Sequence, residues 1–296
     1  MSRYKFLCLL ALLGSQFSLQ AEEHSKKSHP FDLTATQDHI LSSKFKSPHK
    51  RKSSSLSFTD SNIIAGYTQE ISTKNGLNYG IGYNNARFDW KKHSPIKQKN
   101  INNLLLKFGG YTKEREDWRW DANVYLQMNT DNFSLSRYTL FRGFLHGVYD
   151  WKKDTRLHVG LEGIAGMHYT RVWPTLGFDY KYSKKMRFSV VVPSNISALY
   201  SFDDHISAIA AVRYFLSRQR LGDHESHHMK RGLIAYRNVG VEVGLNYEIA
   251  KRLLANIHVG QAMGGRVRLS HKNDHHRKHY TLKSAPYFGA QISISF

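Results

Sequence analysis

From about Ser61 to the C-terminus, apolar and polar side chains alternate in segments roughly ten residues long, and this repeat constrains the fold more than any other feature. The clearest segment runs from 118 to 129. Trp118, Trp120, Ala122, Val124, Leu126 and Met128 form one series, with Arg119, Asp121, Asn123, Tyr125, Gln127 and Asn129 between them. Period two is the side-chain repeat of a β-strand, and about ten residues suffice for a tilted strand to cross a bilayer. The alternation recurs at 63–71, 79–83, 176–182, 186–192, 241–249 and 253–263. A soluble sandwich would rarely show so many such strands. After Tyr79, Ile81 and Tyr83 the phase slips at Asn85, which predicts a β-bulge there.

Connection lengths alternate as well. Short turns are expected at 72–76, 113–117, 150–154, 183–185, 203–204 and 250–252, and longer polar loops at 91–100, 130–137, 219–232 and 271–280. Short periplasmic turns facing long external loops are the habit of outer-membrane barrels. About 13 candidate strands follow Ser61, whereas an even number is expected when both termini lie on one side. The reading is an all-β, single antiparallel transmembrane barrel of about 12 strands, in a range of 10 to 14, with one more strand possible before Ser61.

The last ten residues, Tyr287-Phe288-Gly289-Ala290-Gln291-Ile292-Ser293-Ile294-Ser295-Phe296, follow the same period and stop on an aromatic residue. They resemble the closing strand of bacterial outer-membrane barrels. That resemblance makes Phe288, Ile292, Ile294 and Phe296 the signal read by the barrel-insertion machinery. The segments Arg171-Val172-Trp173-Pro174-Thr175-Leu176-Gly177-Phe178-Asp179-Tyr180, Phe188-Ser189-Val190-Val191-Val192-Pro193 and Ser197-Ala198-Leu199-Tyr200 resemble a domain-of-unknown-function family of bacterial outer-membrane barrels. The resemblance covers about Ser61 to Phe296. It implies a barrel and carries no catalytic residue across.

At the other end, Arg3 and Lys5 precede an apolar run from Phe6 to Leu13, and Leu19-Gln20-Ala21 offers a cleavage site. Residues 1–21 therefore read as a signal peptide. Cys8, the one cysteine, lies inside it, so the mature chain has no disulfide framework. No later apolar run reaches the roughly 18 residues of a spanning helix. Residues 22–60 read as a flexible polar segment, and 61–296 as the barrel. A mean hydropathy of −0.51 is compatible with a barrel because only alternate residues meet lipid.

The chain carries 43 Lys and Arg against 23 Asp and Glu, a net +20 with histidine neutral. Such an excess favours anionic partners, chiefly outer-membrane lipid and lipopolysaccharide, while secretion argues against nucleic acid. The charged positions expected in the lumen are Glu70, Arg119, Asp121, Asp179, Lys181, Arg187, Arg213, Glu242, Glu248, Arg266 and Arg268. Trp90, Trp118, Trp120, Trp151 and Trp173 suggest an aromatic girdle. His224, His227, His228, His271, His275, His276 and His279 cluster in two loops, but nothing fixes them as metal ligands, and no metal or cofactor is expected. No nucleophile with a local base stands out, which argues against an enzyme. The expected function is porin-like passage of small polar or anionic solutes, or a structural barrel. The alternative is a surface protein that binds lipopolysaccharide or host polyanions through basic, His-rich loops.

Overall fold

The computed structural model describes residues 30–46, 54–92, 94–131, 138–250 and 252–296. The signal-peptide assignment to residues 1–21 lies outside the described residues. Among the described residues fifteen strands follow one another. They are β1 (Phe31–Lys44), β2 (Ser55–Glu70), β3 (Asn75–Lys91), β4 (Asn100–Arg115), β5 (Trp118–Asn129), β6 (Thr139–Lys152), β7 (Thr155–Gly166) and β8 (Tyr169–Lys181). Then come β9 (Met186–Val192), β10 (Asn195–Ser201), β11 (Ile206–Arg220), β12 (Leu233–Ala250), β13 (Leu253–Ser270), β14 (Lys278–Thr281) and β15 (Ala285–Ser295).

Each strand pairs antiparallel with its neighbour, and β15 joins both β13 and β1. The short β14 prolongs β15 along β13, so the closed barrel has 14 staves. This exceeds the expected 12 because a strand does lie before Ser61. The flexible assignment to 22–60 fails at Phe31–Lys44, which pairs with β2 from end to end with one register shift between Ile40 and Ser43, while residues 22–29 and 47–53 lie outside the described residues. Strand β2 also begins before 61, at Ser55. Closure is sealed by backbone bonds between Phe31 and Phe296, 2.8 Å for Phe296 N to Phe31 O.

Pro30, Phe296, Arg252 and the turns at 71–74, 116–117, 153–154, 182–185 and 202–205 fall at one end, called here the turn end. The opposite, loop end carries 94–99, 221–232 and 271–277, together with the tight connections 167–168 and 193–194. Near the turn end the two faces separate cleanly. In β12, Val241, Val243, Leu245 and Tyr247 are about half exposed on the outside, while Glu242 and Asn246 are 4% exposed on the inside. Aromatic pairs ring the outside here, including Phe31 with Tyr67, Trp118 with Trp120, and Tyr200 with Phe202.

The longest staves have 16 to 18 residues, well beyond the 9–11 that span a bilayer. Towards the loop end the solvents of the two faces exchange. In β3 the outer face passes from Tyr79, Ile81 and Tyr83 to Arg87, Asp89 and Lys91, and the inner face from Gly80, Gly82 and Asn84 to the buried Ala86, Phe88 and Trp90. The pairing of β2 with β3 has no shift through this stretch. The expected bulge at Asn85 is therefore absent. The residue pattern inverts because the wall leaves lipid on one side and meets an apolar filling on the other. For the same reason Trp90 and Trp173, both 8% exposed, belong to the interior and not to a lipid-facing girdle.

That filling comes from the β11–β12 hairpin. Strands β9 and β10 have seven residues each and turn at Pro193–Ser194, after the cis Val192–Pro193 bond, so the wall is low there. Above Val212, β11 has no β10 partner, and the pattern of one buried and one exposed face stops. Phe215, Ile234 and Tyr236 pack on one side against Phe58, Phe88 and Tyr287. Tyr214, Leu216 and Leu233 pack on the other side against Leu140, Ile164, Met167 and Trp173. A strand pair buried on both faces lies between walls. The loop half of the barrel is therefore a three-layered apolar core, whereas the turn half keeps a polar interior.

A polar lumen beneath a tucked hairpin as the candidate functional site

The interior of the turn half is lined by residues on the inward parity of each stave. Arg119 and Asp121, two apart on β5, pair at 2.8 Å and keep 30% and 15% of their side chains exposed. On the adjoining strands, His158 Nδ1 and His146 Nε2 lie 3.1 Å apart with stacked rings, and His158 Nε2 is 3.1 Å from Asp179. The His158 side chain is fully buried, while Arg119, Asp121 and Asp179 face partly accessible space. The loop half, with its core residues at 0–8% exposure, does not.

A second charge network sits where the hairpin leaves the wall. Arg213 donates to both oxygens of Glu242 at 2.7 and 2.9 Å and lies 3.5 Å from Asp38. Tyr287 donates to Glu242 at 2.7 Å, and His258 bridges Asp38 at 2.7 Å and Asn256 at 2.8 Å. The Asp38–His258 contact crosses the intervening strand at Gly289, where an added Cβ would meet both groups at 2.4 Å. Five strands are thus tied together just below the point at which β11 turns inward.

Between the polar and apolar halves runs a belt of carboxamides. Asn62, Asn84 and Asn103 are register partners on β2, β3 and β4. Asn84 donates to Asn62 at 2.8 Å and to Asp60 at 2.6 Å, and Asn103 donates to Asn84 at 2.9 Å. Asn103 and Gln127 both reach Gln219 of the hairpin at 3.0 Å. A free strand edge leaves alternate backbone groups without partners, which costs free energy in a dry interior. Here the opposite wall supplies them. Arg142, Gln127 and Asn129 donate to the carbonyls of Leu216, Arg218 and Arg220 at 3.3, 3.5 and 3.0 Å. Side chains of β5 and β6 therefore stand in for the missing neighbour of β11.

The hairpin loop is fastened at the loop end as well. The Glu225 carboxylate accepts from the backbone N–H groups of Lys97 and Gln98, and Gln98 accepts from Gly222 N at 2.8 Å. Arg231 pairs with Asp223, and their hydrogen bond holds the carboxyl below its usual range. Asp274 is also held low. Burial opposes ionisation there, but a hydrogen bond from Ser270 and the charges of Arg268, Arg218 and Arg277 prevail.

Of the charged positions expected in the lumen, Arg119, Asp121, Asp179, Arg213 and Glu242 line it and form the contacts above. Glu70, Lys181, Arg187 and Glu248 lie on the inward parity close to the turn end, so they form its rim. Arg266 and Arg268 do not enter. Gly264 adopts φ +68° and the β12–β13 register shifts between Arg237 and Val239, which turns Val267 and Leu269 into the core and both arginines outward. Phe288, Ile292 and Phe296 are about half exposed on the lipid-facing side, with Ile294 intermediate. His227, His228, His271 and His276 approach one another, with ring centroids 5.0 to 6.1 Å apart along the series. Among the described residues no group of three His, Cys, Asp or Glu is arranged to hold a metal.

Sequence reasoning missed Asp38, His146, His158, His258 and the carboxamide belt. Parity was the available signal, since His146 and His258 share the inward series with Arg142 and Glu242.

Comparison with known proteins fits this architecture. Residues 36–295 match the model of the domain of unknown function DUF6268, and the chain belongs to that family. An uncharacterised protein of Chlamydia pneumoniae is 22% identical over 77% of this chain and 76% of its own length. One of Chlamydia muridarum is 20% identical over 82% and 80%. Among solved structures, the COG4313 outer-membrane channel of Pseudomonas putida F1 superposes with a TM-score of 0.55, covering 93% of this chain and 98% of that one at 8% identity. The fold is that of an outer-membrane β-barrel.

Proposed function

We propose that the protein is a narrow outer-membrane channel for small polar or anionic solutes, held closed in this conformation by the β11–β12 hairpin. A wide diffusion pore would need a continuous polar lumen, and here the polar interior ends at the carboxamide belt. The observation that carries the reading is the way the hairpin is held. Its free edge bonds to Arg142, Gln127 and Asn129, polar contacts that can be exchanged for water, and not to a neighbouring strand. The similarity to an outer-membrane channel supports a transport role at the level of fold. The cargo is then set by the lumen charges, among them Arg119, Asp121 and Asp179.

Planar-bilayer recordings test this reading. Refolded protein should give small, infrequent openings, and Gln127→Ala with Arg142→Ala should raise open probability at least tenfold. Silence in both proteins would refute a channel and favour a structural barrel.

A further inference from the structure

The outer face of β12, β13 and β14 at the loop end carries more positive charge than its own carboxylates can neutralise. Arg237 and Arg266 are direct cross-strand partners, as are Arg268 and His279. Like charges placed opposite one another on a sheet are destabilising. Arg268 shares the buried Asp274 with Arg218 and Arg277, at 3.3, 3.7 and 3.1 Å respectively. Among the described residues, Arg237, Arg266, Lys46 and Lys283 have no ion-pair partner. Partial burial, and after it the charges of Arg268, Arg277, Arg237 and Arg266, lower the pKa of His279.

The patch is concave. At the Gly264 bulge the outer wall opens into a cavity of about 550 Å³ lined by Lys46, Met263, Gly264, Lys283 and Ser284. The space exists because nothing lies within 4 Å of a Cβ built on Gly264. Arg266 is two residues further along the same outer face. Met263, 42% exposed, is the last of the outward apolar series Ile257, Val259 and Met263 on β13, so the cavity stands at the boundary between the lipid-facing belt and the polar wall above it.

We propose that this cleft binds the phosphate groups of an anionic glycolipid headgroup in the membrane leaflet at the loop end. Lys46, Lys283 and Arg266 would hold a phosphate in the cleft, and Arg237 with Arg268 would hold a second negative group beside it. Three features select a lipid over a dissolved anion: the height of the cleft, the apolar Met263 in its lining, and the exposure of Lys46, Arg266 and Lys283 on the outer wall. The site is independent of the channel reading, since none of its residues faces the lumen.

The test uses the full mature chain in phosphatidylcholine nanodiscs and fluorescent lipid A as probe, with its dephosphorylated form and inorganic phosphate as further arms. Wild-type protein should bind the phosphorylated lipid and discriminate against the phosphate-free form. Lys46→Gln, Arg266→Gln and Lys283→Gln together should weaken binding on the order of a hundredfold, about fivefold per surface cation. All three side chains are exposed, so the variant should fold, which its heat-induced unfolding in the same nanodiscs checks. Equal binding of both lipids, or an unchanged affinity in the folded triple variant, would overturn the proposal. Full competition by millimolar inorganic phosphate would overturn the lipid assignment in favour of a free-anion site.

Discussion

At the scale of single residues, the organising contact is Arg213 with Glu242 and Asp38. In a nearly dry wall one guanidinium offsets only one of two carboxylates, and the remaining negative charge is tolerable because Tyr287 bonds Glu242 and His258 bonds Asp38. Glu242 and Asp38 are each 4% exposed, and Arg213 is the guanidinium that faces both. Arg213→Met should therefore destabilise the folded barrel by about 3 to 5 kcal/mol in urea titrations, because two buried carboxylates lose their shared guanidinium. Arg119→Met is the control. Its side chain keeps 30% exposure, so its pairing with Asp121 is screened and its loss should cost about 1 kcal/mol or less. Equal effects would mean that the Arg213 network is as wet as the lumen below it.

At the scale of elements, the departure from an ordinary barrel is that one hairpin changes layer. Leu233 begins β12 on the face that, further along the strand, carries Val241, Val243 and Leu245 outward. Because the hairpin is tucked in, Leu233 is 1% exposed and packs with Leu140, Ile164 and Trp173. Leu233→Ala should cost about 2 to 5 kcal/mol, as expected for a truncated core leucine. Leu245→Ala, on the lipid-facing part of the same strand, should cost distinctly less, since lipid fills the space. Matching losses in the two variants would place the hairpin back in the wall. The alternation that identified β5 and the turn half of β12 was legible because each strand there separates lipid from a polar lumen. Strand β1 was obscured by Gln37 and His39 on its outer face, where the short apolar series Phe31, Leu33, Ala35 turns polar. Arg266 and Arg268 were assigned inward because Gly264 shifts the phase by a local backbone change that period counting does not register.

At the scale of the whole molecule, the chain joins two environments in one set of staves. The turn half reads as a membrane barrel and was recognisable from sequence, as were the short turns and the closing strand at Phe296. The loop half has the opposite polarity, and its apolar interior could be assigned only once the low wall at β9 and β10 had revealed where the β11–β12 hairpin goes. That is a tertiary fact. A hydrophobic residue such as Phe88 or Tyr214 is compatible with either face until its neighbours are known. The most direct test of this division is a spin-label scan of positions 206–220 in reconstituted protein, measuring collision with lipid-soluble oxygen. Accessibility should alternate through Ile206, Ala208, Ala210 and Val212, then fall to a uniformly low value from Tyr214 to Arg220. Alternation continuing to Arg220 would put β11 in the barrel wall along its whole length and contradict the tucked hairpin.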